Sequence, residues 1–245
     1  MRTTRIHTTQ RLGPGAVVLL EPEPSRHLAR ALRLGVGDTL TLFDGRGGEY
    51  PAEITAVDKK QVQVVTGEHV QCERESPLDI HLGIAVSRGD RMDWVVQKAT
   101  ELGVTALTPL LTEHTGVKLS GERAGKKIQH WQQIAISACE QCGRNRPPVV
   151  HALQAQSQWL ASTSAEQKFV LHHRATAHAH AGLAPTSIAL LVGPEGGLSE
   201  AEISAAEQAG FAALRLGPRV LRTETAPLAA IAILQSHWGD MPPVK

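Results

Sequence analysis

The sequence predicts a two-domain protein, a small β-barrel followed by an α/β domain built on a mostly parallel sheet. The N-terminal part, about 70 residues long, consists of short segments of alternating apolar and polar residues that are separated by turns. From Leu78 onward, short apolar segments alternate with helical patterns, which is typical of a parallel sheet covered by helices on both faces. A polar stretch at 71–77 separates the two patterns, so we place the domains at residues 1–72 and 73–245.

The composition is that of a globular protein, with 42% apolar residues and no apolar run of about 20 residues that could span a bilayer. The N-terminus lacks the apolar segment of a signal peptide, and three cysteines cannot form a disulfide framework, so we expect a cytoplasmic protein. Residues 1–33 carry six arginines against two glutamates, a local charge of 6 − 2 = +4 within a chain of net charge +1. A basic face of this kind suits contact with nucleic acid, although an arginine-rich solvated surface would carry the same charge.

In the barrel, the alternation predicts strands and one short helix. Ser25 is the expected N-cap of that helix, and Gly35 its end. The predicted strands span residues 16–20, 39–43, 48–57 and 61–66, and the helix spans 26–34. No cluster of catalytic side chains occurs in this part, so we interpret it as a binding module.

In the α/β domain, strands and helices alternate, and glycines follow three of the helices. The predicted strands span 79–86, 104–110, 168–171, 188–192 and 212–216, and the predicted helices span 90–102, 124–142, 199–208 and 225–238. Such an order places the carboxyl ends of several parallel strands at one edge of the sheet, where α/β proteins bind their ligands.

Two loops near the C-terminus predict one shared pocket at that edge. Gly-Pro-Glu-Gly-Gly at 193–197 and Leu-Gly-Pro-Arg-Val-Leu-Arg-Thr-Glu-Thr-Ala at 216–226 each follow a strand and open a helix. The first loop lacks both the Gly-x-Gly-x-x-Gly pattern and a phosphate-loop lysine, and Glu195 would repel a phosphate. We therefore expect a neutral or positively charged ligand. A tight structural turn, capped by Ser199 and Glu202, is the alternative.

The same residues resemble a known family. Gly-Pro-Glu-Gly-Gly-Leu-Ser followed by Leu-Gly-Pro-Arg-Val-Leu-Arg-Thr-Glu-Thr is similar to the SPOUT-class methyltransferases, and most of all to the bacterial 16S ribosomal RNA uridine-N3 methyltransferases. The resemblance covers almost the whole chain. It extends to the stretches at 30–34, 87–92, 97–103 and 139–145. One departure is His114, at a position where the family often has arginine.

The resemblance implies a PUA-like barrel and a C-terminal α/β domain with a deep trefoil knot. It further implies S-adenosylmethionine bound at the two loops, and a homodimer in which the partner completes each site. Its substrate would be a uridine of 16S ribosomal RNA in the small ribosomal subunit. Carried onto this chain, the cofactor-binding residues are Leu171, Gly193, Glu195, Gly196, Leu198, Leu216, Leu221, Arg222, Thr223 and Ala226.

Methylation of uridine N3 requires stabilisation of negative charge on the uracil oxygens, a role that suits an arginine in a dry site. We expect Arg222 or Arg219 to fill it, with Glu224 as proton acceptor or orienting group, although Arg222 and Glu224 could simply pair with each other. Candidate phosphate contacts are Arg5, Arg11, Arg30, Arg33, Lys98, Arg144 and Arg146. Lys98 shares a helix face with Glu101 and could pair with it instead.

Other interpretations of the chain concern its cysteines, its substrate and its activity. Cys139-x-x-Cys142 lies at a predicted helix end with a single further cysteine, so we expect no metal site. A SPOUT methyltransferase that acts on a ribose 2′-hydroxyl or on transfer RNA would carry the same loops. A non-catalytic RNA-binding assembly factor could have kept the fold without the cofactor.

Overall fold

The computed structural model describes residues 3–58, 61–117, 119–172 and 184–241. The chain divides into two compact units. The first consists of Met1–Glu75 with Cys139–Pro147, and the second of Ser76–Ala138 with Pro148–Lys245. Among the described residues, no helix combines the length and the apolar character needed to cross a membrane.

The first unit contains a five-stranded sheet in the order β1-β3-β4-β5-β2. Its strands are β1 Arg5–His7, β2 Val17–Leu19, β3 Thr39–Phe43, β4 Tyr50–Val57 and β5 Val62–Thr66. Every second residue of β5 is buried, which is the period expected of a strand that packs one face on a core. The four predicted strands are confirmed. The three-residue β1 was not predicted, because Ile6 is its only buried side chain.

A short helix in the first unit differs from the prediction. Helix α1 spans Pro22–Arg26 and continues as a π-helical turn at His27–Ala31, so it begins and ends earlier than predicted. Proline is favoured in the first helical turn because its missing N–H has no helical acceptor there. Ser25 lies inside α1 rather than at its N-cap. Its hydroxyl donates to Leu20 O at 3.1 Å and accepts from Val62 N–H at 3.0 Å, which ties α1 to the start of β5.

The second unit contains a sheet of parallel strands, as predicted. Its strands are β6 Asp79–Ala85, β7 Ala106–Leu111, β8 Val149–Val150, β9 Gln154–Ala155, β10 Gln167–Leu171, β11 Ser187–Val192 and β12 Ala212–Leu214. The order is β12-β10-β11-β6-β7-β8, with β9 also paired to β7. The short strands β8 and β9 were not predicted. The trefoil knot stays a prediction.

Helices cover both faces of this sheet. They are α2 Arg91–Glu101, α3 Gly121–Cys142, α4 Gln156–Ser162, α5 Glu200–Gln208 and α6 Thr225–Trp238. Alternate residues of β11 enter different cores: Leu190 packs with the α2 and α6 side chains, and Leu191 packs with Trp159 and Ala206. Burial on both faces explains the continuous apolar sequence of β11. Four helices agree with the prediction, and α4 was missed.

Candidate active site

A cavity of about 510 Å³ lies at the edge of the second unit's sheet where parallel strands end. The loops that follow β11 and β12 form most of its wall, and the ends of β10 and of the β7 loop contribute Leu171 and His114. The volume is in the range of small-molecule sites, and the position is the usual ligand edge of an open α/β sheet. The two loops predicted to share a pocket do so.

The first of these loops requires glycine at two positions. Gly197 has a φ of +73° and donates its N–H to Pro194 O at 2.9 Å, which closes a tight turn. A Cβ on Gly193 would lie 2.9 Å from Leu198 Cγ and 3.0 Å from Leu198 N, so the backbone packs too closely for a side chain. These contacts leave peptide groups at the cavity surface, where they can bind a ligand directly.

The loop ends in a capping box, as predicted. Ser199 Oγ accepts the Glu202 N–H at 3.3 Å, and Glu202 Oε2 accepts the Ser199 N–H at 2.9 Å. Since both contacts are local in sequence, the start of α5 is encoded by four neighbouring residues.

Most of the predicted cofactor residues surround the cavity. Those in its wall are Leu171, Gly193, Glu195, Gly196, Leu198, Leu216, Leu221, Thr223 and Ala226. Arg222 is not in the wall, and its side chain is 81% exposed. The wall also contains His114, Val192 and Leu214, which were not predicted to bind the cofactor. Val192 and Leu214 are strand-end residues that the ligand edge of a parallel sheet could have indicated.

The predicted catalytic residues separate into two places. Arg219 lies in the cavity wall, whereas Arg222 and Glu224 lie outside it. Glu224 Oε1 is 3.9 Å from Arg222 Nη1, and Glu224 Oε2 is 3.6 Å from Arg91 Nε. The structure therefore places one of the three in the cavity wall and pairs the other two loosely with each other.

Glu195 has an internal cationic partner. Its Oε1 accepts from Arg91 Nη1 at 2.7 Å and from the Arg88 N–H at 3.0 Å. Partial burial opposes ionisation, but these hydrogen bonds outweigh it and lower the pKa of Glu195 below its ordinary value. From the sequence, Glu195 favours a neutral or positively charged ligand over a phosphate. In the structure, Arg91 already balances the charge of this carboxylate within the protein.

His114 packs against the glycine loop from the β7 side. Its Nδ1 is 3.0 Å from Gly197 O, and since a carbonyl only accepts, Nδ1 is the donor. A Cβ on Gly196 would lie 3.1 Å from His114 Cβ, so the loop and the ring are in close contact. His114 thus supports the glycine loop.

The residues predicted to contact RNA differ in how far their side chains are exposed and free to meet a phosphate. Arg11, Arg30 and Arg33 are exposed on the first unit. Arg33 has a φ of +56°, an uncommon conformation for a residue with a side chain, and one that recurs at functional positions.

Arg5 and Arg144 are not available for phosphate contact, which corrects the prediction. Arg144 is 4% exposed, and its Nη2 lies 2.6 Å from Glu75 Oε2. Arg5 pairs with Glu49 and donates to Asn145 Oδ1 at 2.6 Å. Both guanidinium groups hold parts of the first unit together.

Two further predicted RNA contacts have carboxylate partners but stay partly exposed. Arg146 Nε is 3.5 Å from Glu73 Oε2, and its side chain is 55% exposed. Lys98 donates to Glu101 Oε1 at 2.8 Å, which is the pairing named as the alternative. Exposed pairs of this type are worth about 0–1 kcal/mol, so a phosphate can displace them.

Within the described part of the chain, no group of three or more histidine, cysteine and acidic side chains could hold a metal ion. A hydrogen bond with Cys142 and burial raise the pKa of the Cys139 thiol. A thiol that resists ionisation is a poor metal ligand and a poor nucleophile.

Fold and cavity together define an α/β protein with a small-molecule site, preceded by a smaller β domain. Residues 74–235 match the family model of an RNA methyltransferase domain, and residues 20–66 match that of an RNA methyltransferase PUA domain. Both predicted domain types are therefore confirmed.

Individual relatives are similar to this chain over nearly its whole length. The ribosomal RNA small subunit methyltransferase E of Buchnera aphidicola (from Schizaphis graminum) is 35% identical over 98% of this chain and 98% of its own. A Legionella pneumophila methyltransferase structure with bound cofactor SAM has 43% identity and a TM-score of 0.95, covering 98% and 100% of the two chains. A Neisseria gonorrhoeae ribosomal RNA small subunit methyltransferase E bound to S-adenosyl methionine has 40% identity and a TM-score of 0.92, covering 98% and 99%. The chain belongs to the RNA methyltransferase family that includes the ribosomal RNA small subunit methyltransferase E proteins.

Proposed function

We propose that this protein uses S-adenosylmethionine to methylate N3 of a specific uridine in the 16S ribosomal RNA of the small subunit. The observation that carries the proposal is the cavity between the two C-terminal loops, in which nine of the ten predicted cofactor positions meet. Family membership and the SAM named in the two structural relatives support the same ligand.

The cavity suits this cofactor chemically. Leucines and a valine from three strand ends supply apolar walls for an adenine ring, while the glycine loop supplies backbone donors and acceptors for its edge and for the ribose. Thr223 is 9% exposed and adds a largely buried polar residue to the wall. The cofactor supplies an electrophilic methyl group on sulfur.

The protein's own task is to orient the uracil and to balance its charge. When bound, S-adenosylmethionine would supply the methyl group to N3 and would leave as a neutral thioether, while the N3 proton would pass to water. Alignment of the two reactants contributes up to about 7–11 kcal/mol. Arg219, in the cavity wall, donates to the uracil oxygen on which negative charge develops. Glu224 contacts two arginines, so we assign it to orienting the loop.

RNA binding is assigned to cations of the first unit and to Lys98 of the second. Arg11, Arg30 and Arg33 form the basic part of the domain that we place at residues 1–72, and Arg146 and Lys98 add partly exposed charges. With about five phosphate contacts, affinity for RNA falls steeply as salt is added.

The protein is further proposed to act in the cytoplasm as a homodimer with a knotted methyltransferase domain. Val220, an apolar side chain in the cavity wall, is 80% exposed. Exposed apolar surface at a site rim is favourably covered by another chain, and a second copy would complete the site there.

The proposal is tested by methylation assays on 30S subunits, naked 16S RNA and transfer RNA, with mass mapping of the product. Methylation at uridine N3 in ribosomal substrates is the expected result, and a 2′-O-methyl or transfer RNA product would replace this proposal with another substrate. Calorimetry with S-adenosylmethionine tests the cofactor: a protein that fails to bind it would be a non-catalytic RNA-binding factor.

The catalytic assignment is tested with a matched pair of variants. Arg219→Ala should lower turnover by about 10²–10³-fold, the usual effect of removing one charge-stabilising donor. Arg222→Ala should lower turnover less, because Arg222 lies outside the cavity wall. The reverse ranking would move the catalytic role to Arg222.

A further inference from the structure

Arg91 contacts both of the loops that form the cavity. It is the first residue of α2, which follows β6, and β6 pairs in parallel with β11 through Ile84 and Val192. Since parallel neighbours end at the same edge, the start of α2 lies beside the loop that follows β11. Arg91 Nη1 lies 2.7 Å from Glu195 Oε1 in that loop, and Arg91 Nε lies 3.6 Å from Glu224 Oε2 at the N-cap of α6.

The contact has the geometry of a link between loops. Glu195 and Glu224 stand on different sides of α5 and β12 in the sequence, and a single guanidinium group lies between their carboxylates. The N–H of Arg88 gives Glu195 a second donor at 3.0 Å. Arginine presents several donors in a rigid fork and can serve two carboxylates at once, whereas a lysine ammonium is a single point charge.

The ion pairs of Arg91 contribute little to the stability of the fold, because their side chains are partly exposed. The Arg91 side chain is 41% exposed and that of Glu195 is 32% exposed, so solvent screens the pairs and each contributes little to unfolding free energy. What the link does restrict is the relative position of the loops. A ligand that touches both loops binds more tightly when they are ordered beforehand, because binding then loses less conformational entropy.

We infer that Arg91 is a positioning residue for the cofactor, acting through Glu195 and Glu224 to set the two loops before S-adenosylmethionine binds. The inference rests on the proposed function only for the identity of the ligand. It requires no step of the methyl transfer.

Calorimetric titration of the full-length protein with S-adenosylmethionine tests this role. Arg91→Ala should raise the Kd about tenfold, equivalent to 1.4 kcal/mol. Arg91→Lys should rescue part of this, leaving a rise of about threefold, since lysine can reach Glu195 but not both carboxylates at once. Arg123→Ala is the matched control, an exposed arginine in the first turn of α3, and should leave the Kd unchanged.

A second measurement separates positioning from folding. Thermal unfolding of each variant is followed first, and the titrations are run well below the lowest midpoint. Glu224→Gln is then combined with Arg91→Ala. If Arg91 acts through Glu224, the double variant should raise the Kd by less than the product of the two single effects.

Three results would overturn the inference: an unchanged Kd in a folded Arg91→Ala protein, an equal rise in Arg123→Ala, or independent effects of Arg91→Ala and Glu224→Gln. If Arg91→Ala does not fold, the inference is tested with Arg91→Lys and Glu224→Gln. An unchanged Kd in both of these variants would then overturn it. Failure of the parent protein to bind S-adenosylmethionine would instead refute the proposed function, so the two failures are distinguishable.

Discussion

The second unit should lose stability in mild acid because of one partly buried histidine. His81 lies in β6, where its Nε2 is 2.7 Å from Thr108 Oγ1 and accepts the Trp159 indole N–H at 3.3 Å. Burial lowers the pKa of His81 from 6.5 to about 4; neighbouring His151 adds to the shift, while Asp79 opposes it. Protonation would also place an N–H donor against the Trp159 donor. The neutral ring therefore belongs to the folded state.

The sign and size of the effect follow from this shift. Because the folded pKa lies below the unfolded value, protons bind preferentially to the unfolded chain, and stability falls as pH decreases from 6.5 to about 4. The difference of 6.5 − 4 corresponds to about 3 kcal/mol when fully expressed. About 2 kcal/mol of it should be lost by pH 5.

Urea unfolding at pH 7 and pH 5, followed by tryptophan fluorescence, measures this loss. All four tryptophans belong to the second unit, so the signal reports the unit that contains His81. The parent protein is compared with His81→Gln, which cannot be protonated in this range. The loss between the two pH values should be about 2 kcal/mol smaller in the variant. Equal losses in both proteins would refute the reasoning.

Three substitutions test close packing at two glycines and the N-cap of helix α5. Gly83→Ala would place a Cβ 2.6 Å from the Trp159 ring in the centre of the sheet, and should lower the unfolding free energy by about 1–3 kcal/mol in urea titrations. Gly193→Ala would collide with Leu198 and displace the glycine loop, so S-adenosylmethionine should bind more weakly in calorimetry while far-UV circular dichroism stays unchanged. Ser199→Ala removes the N-cap of α5 and should lower the unfolding free energy by about 1 kcal/mol, as measured by thermal unfolding. Ser199→Asp, which keeps a capping oxygen, should retain the stability of the parent protein.

The elements that the sequence predicted well are those whose pattern repeats over many residues. The strands of five or more residues and four helices of the second unit have enough apolar periodicity to be identified locally. β1, β8 and β9 were missed because a strand of two or three residues arises from pairing with a neighbour. The seven-residue helix α4 is too short for a clear apolar periodicity. Ser25 was misassigned because its partner, Val62, is distant in sequence.

The candidate site likewise contains features that could be predicted from the sequence and features that depend on the fold. The sequence by itself indicated that the two C-terminal loops share a pocket, because the strand ends, turns and capping box that shape them are encoded by immediate neighbours. The individual cofactor residues came from the family resemblance, which did not include the wall residues His114, Val192 and Leu214. Only the tertiary structure decided where the charges go. Arg91 meets Glu195 across 104 positions, and Arg144 meets Glu75 across 69. Turn chemistry acts between adjacent residues, so the sequence was sufficient to predict the pocket. An ion pair forms where the fold brings two distant side chains together, so the pairing of the cations near the pocket could be seen only in the tertiary structure.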